Sequence, residues 1–386
     1  MINESKNKKT SESMNTGSPA FLTSMVATAL FVCILVPILL SCSANPSPKL
    51  KPYVGTTYTP PTEEVTEPEF IPVFSPSSVV VKPYATAQTA SADISSQYGV
   101  LVNAETGEIL AGKNADVKFH PASMTKVMTL LVACQRLTEA DLENKIKLTQ
   151  EIYDFVHPAS TKDGYYDSEC YWKNVYIGDD GTVLSQLYGI GMESYADCTV
   201  MIATYIVGKS PAESEAQFVE WMNEEVEKMG LKNTHFDNII GHESEDTYTT
   251  AADMAAIMVR ALESPLIKSL LSAKESKRFF IDSYHADGTF DQQYNMFFYS
   301  TLFNLNDSST NREKAYEKVY GKFKLNSLIF SGGKTGALKV DGTWVYSLVS
   351  YATSSNGKTY VAVTGETSAN ASVLKDAKTL YDTYAK

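Results

Sequence analysis

Two groups of side chains in this 386-residue chain have types and spacings that could carry chemistry. The first is Ser123 with Lys126. At i and i+3 of a helix, two side chains share a face and reach one another. The run around them (Met124, Val127, Met128, Leu130, Leu131, Val132, Ala133) is apolar on nearly every face. That predicts a buried central helix from Pro121 to about Gln135. Lysine is rarely buried without a partner, so Lys126 there needs a polar cleft or a task. A lysine held neutral by its surroundings can take the serine hydroxyl proton and produce a nucleophile at neutral pH. Pro121 marks the helix start, whose positive dipole end favours developing negative charge. The bare S-x-x-K spacing recurs by chance in many proteins, so it needs support elsewhere.

The second group is Lys334-Thr335-Gly336, preceded by Gly332-Gly333 and followed by a strand pattern. A phosphate loop is the rival reading, because Gly333-Lys334-Thr335 mimics its last three residues. That loop requires glycine where Leu328 stands, and a helix after it. A strand edge lining a cleft fits better. Lys334 would supply positive charge, the Thr335 hydroxyl a donor, and Gly336 room for a substrate backbone to approach.

Taken together the two groups match a known signature, S-x-x-K with a downstream K-T-G, shared by penicillin-binding proteins and class A β-lactamases. Pro121-Ala122-Ser123-Met124-Thr125-Lys126-Val127-Met128-Thr129 resembles the first motif of the D-alanyl-D-alanine carboxypeptidases, the low-molecular-mass penicillin-binding proteins. Residues 231–236 (Leu-Lys-Asn-Thr-His-Phe) and 248–254 (Tyr-Thr-Thr-Ala-Ala-Asp-Met) resemble that family's segments between its second and third motifs, and Gly332 to Gly336 its third. The resemblance runs from about residue 95 to 386. It implies an α+β fold of the β-lactamase/transpeptidase kind, with an antiparallel sheet flanked by helices and a helical subdomain. It implies a serine peptidase that trims the terminal D-Ala of peptidoglycan stem peptides and is acylated by β-lactams, with no metal or cofactor. Ser123 would be the acylated nucleophile and Lys126 its base. Ser194 would shuttle the proton, and Lys334, Thr335 and Gly336 would bind the peptide's end. The N–H groups of Ser123 and Ala337 would form the oxyanion hole.

Two departures stand out. The family's middle motif is S-x-N, and the matching residues are Ser194-Tyr195-Ala196, so the amide side chain is missing. That keeps open a catalytically impaired penicillin- or wall-binding module. A serine β-lactamase is the other alternative, although no E-x-x-L-N segment lies between Ser194 and Lys334. The stretch 274–322 is longer than the family needs and reads as a surface insertion without an evident role.

Those motifs need elements to position them. Strand signals occur at Gly99–Val102 and Glu108–Leu110, then helical patterns at Ala196–Val207, Ala212–Met229 and Thr250–Glu263. Strands return at Thr343–Tyr351 and Thr359–Thr364 around Asn356-Gly357, with a last helix from about Ala371 to Tyr384. Strands at both ends with helices between predict one antiparallel sheet in a single domain, 93–386.

The remainder of the chain bears on location and partners. Lys6, Lys8 and Lys9 precede 21 uncharged residues from Ala20 to Leu40, long enough to span a bilayer with the lysines cytoplasmic. Residues 1–42 therefore read as a signal or membrane anchor. Lipidation at Cys42, cleavage after Ala44 and an uncleaved anchor all fit. Residues 43–92 hold nine of the fifteen prolines and read as an extended stalk. The family's C-terminal β domain and amphipathic tail have no counterpart in the pattern, so the N-terminal segment would serve as the anchor. A net charge of −12 without a basic cluster argues against a nucleic-acid partner. The five histidines (His120, His157, His235, His242, His285) lack metal-ligand spacing, and His235 is expected to pack beside Phe236. Cys134, Cys170 and Cys198 leave at least one thiol unpaired within the domain, with the pairing open.

Overall fold

A computed structural model describes residues 88–89, 94–157, 175–285, 287–303, 324–340 and 342–385. The leader and all of the stalk but residues 88–89 lie outside the described residues, as do Cys42 and Cys170.

Alternating apolar residues build the main sheet, whose strands are β1 (Gln88–Thr89), β2 (Tyr98–Asn103), β3 (Ile109–Lys113), β8 (Leu328–Val340), β9 (Thr343–Ser354) and β10 (Thr359–Thr367). Their order is β1-β3-β2-β10-β9-β8, antiparallel throughout except that β1 runs parallel to β3. The period of two decides what each face covers. Val100, Val102, Val349, Tyr351, Val361 and Val363 turn to one side, into a core shared with helices α1 (Thr125–Cys134), α4 (Ala196–Val207) and α6 (Ala251–Ala261). Leu101, Leu348, Tyr360 and Ala362 turn to the other and meet Leu380 and Tyr381 of the last helix, α8 (Asn370–Tyr384). Both faces are thus buried, and the central strands read as near-continuous apolar runs. Buried Asp376 of α8 accepts hydrogen bonds from Ser95 and Ser96, which ties the start of the domain to its end.

The expected single sheet is two. Strands β4 (Lys145–Lys147), β5 (Asp180–Thr182), β6 (Phe279–Tyr284) and β7 (Phe290–Met296) form a smaller antiparallel sheet in that order. Three-residue strands carry too little periodicity to be seen in a sequence, and β6 and β7 fall in the stretch read as an insertion. The remaining helices are α2 (Gln150–Val156), α3 (Val183–Tyr188), α5 (Pro211–Lys228) and α7 (Pro265–Ser272). All ten residues of α1 are buried, Lys126 among them, as the predicted buried central helix requires. Cys134 and Cys198 are free, buried thiols. No described helix is long and apolar enough to cross a membrane.

Candidate active site

The S-x-x-K segment does not begin as an α-helix. Pro121 leads into one 3₁₀ turn, Ala122–Met124, and the α-helix proper starts at Thr125. From Pro121 to Cys134, Ser123 is the one residue that is not buried. The tighter turn therefore lifts this hydroxyl out of an otherwise closed helix. Ala122 just before it takes φ +49°, the left-handed region that disfavours any residue with a Cβ. Strain of that kind persists where surrounding structure over-determines it, typically at functional sites.

Lys126, only 2 % exposed, donates to Ser123 Oγ at 3.3 Å and to the Ile240 carbonyl at 2.6 Å. The second contact was not visible in the sequence. It comes from the loop 237–242, where Asn238 Oδ1 accepts the N–H groups of Ile240, Gly241 and His242 at 3.3, 2.6 and 3.1 Å. Thr129 on α1 donates to the Ile239 carbonyl at 2.7 Å. Gly241, at φ +79°, lies so close that a Cβ there would sit 1.9 Å from the Ala122 carbonyl oxygen. The signal that could have exposed this loop was an Asn three residues before a Gly, a common turn pattern that alone points nowhere.

Ser194 ends a π-turn, Gly189–Glu193, and is itself left-handed at φ 64°. Such turns are rare and concentrate at functional sites. Its sequence makes it possible, since a Cβ at Gly189 would fall 2.5 Å from Cys198 Sγ and one at Gly191 3.1 Å from Leu270. Lys334 Nζ donates to Ser194 Oγ at 2.9 Å and to the Thr335 carbonyl at 3.1 Å. Ala196 is buried in the first turn of α4 at 1 % exposure.

Strand β8 is the edge of the main sheet, so alternate main-chain N–H groups have no strand beside them. Thr335 on it is half-buried and Ala337 exposed. Gly336 serves another purpose than the one its motif suggested. A Cβ there would meet the Pro121 carbonyl oxygen at 2.8 Å and Ala122 Cβ at 3.2 Å. The glycine lets β8 close onto the turn that bears Ser123, so the first and third motifs share one wall.

The stretch 274–322 is more than a surface excursion. Tyr299 N donates to Glu193 Oε1 at 2.8 Å, and Phe298 packs edge-on against Tyr195 with ring centres 6.3 Å apart. The Thr301 hydroxyl lies 3.3 Å from that of Thr335. Residues 298–301 therefore brace the middle segment against the third. His235 packs over Tyr248, with ring centres 6.0 Å apart, instead of Phe236, because the two form an isolated bridge that turns Phe236 inward. Among the described residues, no group of three or more His, Cys, Asp or Glu side chains could hold a metal.

A D-alanyl-D-alanine carboxypeptidase family model matches residues 84–367, most of the chain. The chain belongs to the D-alanyl-D-alanine carboxypeptidase family. It is 36% identical to the D-alanyl-D-alanine carboxypeptidase DacF of Bacillus subtilis over 163 residues, 42% of this chain and 38% of the relative. To DacC of Escherichia coli it is 30% identical over 194 residues, 49% of this chain and 44% of the relative. The matched stretches therefore span less than half of these relatives' own length. Among solved structures, an S216A mutant of the Streptomyces K15 DD-transpeptidase superposes with a TM-score of 0.60 at 23% identity, over 77% of this chain and all of the other. Penicillin binding protein 5 of Haemophilus influenzae gives 0.55 at 23% identity, over 75% of this chain and 71% of the other. The α+β architecture of this carboxypeptidase-family chain is the one those structures share.

Proposed function

We propose that this domain is a serine-type D-Ala-D-Ala carboxypeptidase that removes the terminal D-Ala of peptidoglycan stem peptides through an acyl-enzyme at Ser123. One observation carries the reading: Ser123 is bonded to Lys126 and Ser194 to Lys334, and Gly336 lets the strand that bears Lys334 close onto the Ser123 turn. Ser123 Oγ attacks the carbonyl carbon of the penultimate D-Ala, and its proton passes to Lys126. The Ile240 carbonyl holds that amine in place. The oxyanion of the tetrahedral intermediate takes hydrogen bonds from the N–H groups of Ser123 and Ala337; one such donor is typically worth a factor of about 10² to 10³. As the C–N bond breaks, Ser194 relays a proton to the departing amine of D-Ala. Water then attacks the ester carbonyl as Lys126 accepts its proton, and the C–O bond to Ser123 breaks as Lys126 returns that proton to Ser123 Oγ. Lys334 and Thr335 form the surface that receives the terminal carboxylate, on the strand that Gly336 lets close onto the Ser123 turn.

β-Lactams, whose ring amide offers the same carbonyl beside a carboxylate, are covalent inhibitors on this reading. Residues 1–42 and 43–92 place the domain on the extracytoplasmic face of the membrane, anchored or lipidated at its N-terminus. The buried Ala196 in place of a motif amide favours one second reading, a module that is acylated slowly or only binds wall peptide.

Intact mass after incubation with a fluorescent penicillin tests the reading. A stable adduct that Ser123→Ala abolishes is expected, with loss of one D-Ala from pentapeptide muropeptides. An adduct retained in Ser123→Ala refutes the nucleophile; rapid turnover of the label points to a β-lactamase, and absence of label to the binding module.

A further inference from the structure

His120 stands two residues before the left-handed Ala122, and its Nδ1 accepts the Ala122 N–H at 3.0 Å. On the opposite side of the same residue, the Ala122 carbonyl lies against Gly241, where no side chain fits. Ala122 is fully buried and is pinned from both ends. From this geometry we infer that His120 is a positioning residue, whose neutral imidazole locks Ala122 in the left-handed region and so aims Ser123 Oγ into the cleft. The inference rests on Ser123 being the acylated nucleophile.

Several features support it. An α-helical start would need Ala122 at negative φ, and Ser123 would then join the buried face of α1 like its neighbours. Accepting at Nδ1 requires that this nitrogen carry no proton, which leaves the proton on Nε2. The charged or titratable groups around the ring are Asp237 and His242 of the adjoining loop, with Lys126 of α1 beyond His242. Burial outweighs the pull of the His242 main chain and of the Asp237 carboxylate and holds His120 below the usual histidine range, so the lone pair stays available at neutral pH. A protonated Nδ1 would be a donor facing a donor, and the lock would open.

The proposal separates two variants of similar size. Asn Oδ1 occupies the place of His Nδ1 on the same Cγ, so His120→Asn keeps an acceptor for the i+2 N–H, the usual Asx-turn bond. In His120→Leu there is no acceptor, and the left-handed state loses its support. We expect His120→Leu to lower the rate constant for penicillin acylation about 5- to 150-fold, the range for releasing one strained residue. The dissociation constant of the preceding non-covalent complex should stay within about threefold, and His120→Asn should acylate within about threefold of wild type. Equal losses in both variants, with both folded by thermal melting, overturn the proposal. An equal loss appearing only in the dissociation constant overturns it as well. Should His120→Leu fail to fold, the nitrogen chemical shifts of His120 in the wild-type protein still decide. An unprotonated Nδ1 at pH 7 supports the lock, and a protonated Nδ1 refutes it. Labelling of wild-type Ser123 by penicillin reports the underlying reading separately from either result.

Discussion

Gly241→Ala should damage the nucleophile more than the fold alone would suggest, and the structure gives the magnitude. The added Cβ would sit 1.9 Å from the Ala122 oxygen, 2.4 Å from its carbonyl carbon and 2.9 Å from Thr125 Oγ1. Two of these are main-chain atoms, so no side-chain rotation relieves the overlap. Loop 237–242 and the Ser123 turn must part by about 1 Å before any contact becomes tolerable. The residue also sits at φ +79°, which adds about 1–2 kcal/mol for an L-amino acid. Overpacking contributes about 1–3 kcal/mol more, for a total of about 2–5 kcal/mol. A domain of this size loses about 2–4 °C per kcal/mol, so the melting temperature should fall by about 4–20 °C. Because the loop carries the Ile240 carbonyl that holds Lys126, acylation should fall as well, by about 10²-fold for a displacement near 1 Å. Gly230→Ala is the control: φ is +70°, yet nothing lies within 4 Å of the added Cβ. It should show only the conformational loss of about 1–2 kcal/mol, with acylation unchanged. Melting curves and penicillin acylation rates on the two variants suffice. If Gly241→Ala melts like Gly230→Ala and acylates like wild type, the loop does not position Lys126.

Two further outcomes are expected. Ala196→Asn restores the motif amide two residues after Ser194 and should raise the acylation rate for a D-Ala-D-Ala peptide about 10- to 150-fold, the worth of one hydrogen bond to a charged group. A rate that is unchanged or slower by stopped-flow acylation would show that residues 194–196 do not meet the substrate as drawn. Burial, against the pull of Asp237, pushes the His242 imidazole down to about 4. The unfolded chain then binds a proton that the folded protein refuses between about pH 6.5 and pH 4, so stability declines as pH falls through that window. His242→Phe should remove about one proton from the slope of unfolding free energy against pH measured by urea titration; an identical slope would place His242 in contact with water.

What the sequence determined by itself was whatever local chemistry repeats. The short apolar runs Val100–Val102 and Val361–Val363, and the largely apolar run Met124–Cys134, specify buried strands and a buried helix without reference to the remainder of the chain. Helix α4 was legible to its ends, because Gly208 stops it where the apolar pattern stops. The pairing of Ser123 with Lys126 followed from helical spacing, and K-T-G from its own residue types. What only the tertiary structure decided was everything made of main-chain atoms at a distance. The Ile240 carbonyl that holds Lys126 carries no side-chain signature, since any residue supplies a carbonyl. The lysine that bonds Ser194 proved to be Lys334, 140 residues away. Gly336 looked like space for a ligand, and turned out to be space for Pro121 and Ala122. The second sheet escaped notice because three-residue strands such as β4 and β5 are too short to show a period. Left-handed Ala122 and Ser194 are the sharpest case. Neither residue type prefers that conformation, and at Ala122 the contacts that impose it, from the His120 ring and from the loop at Gly241, exist only in the folded chain.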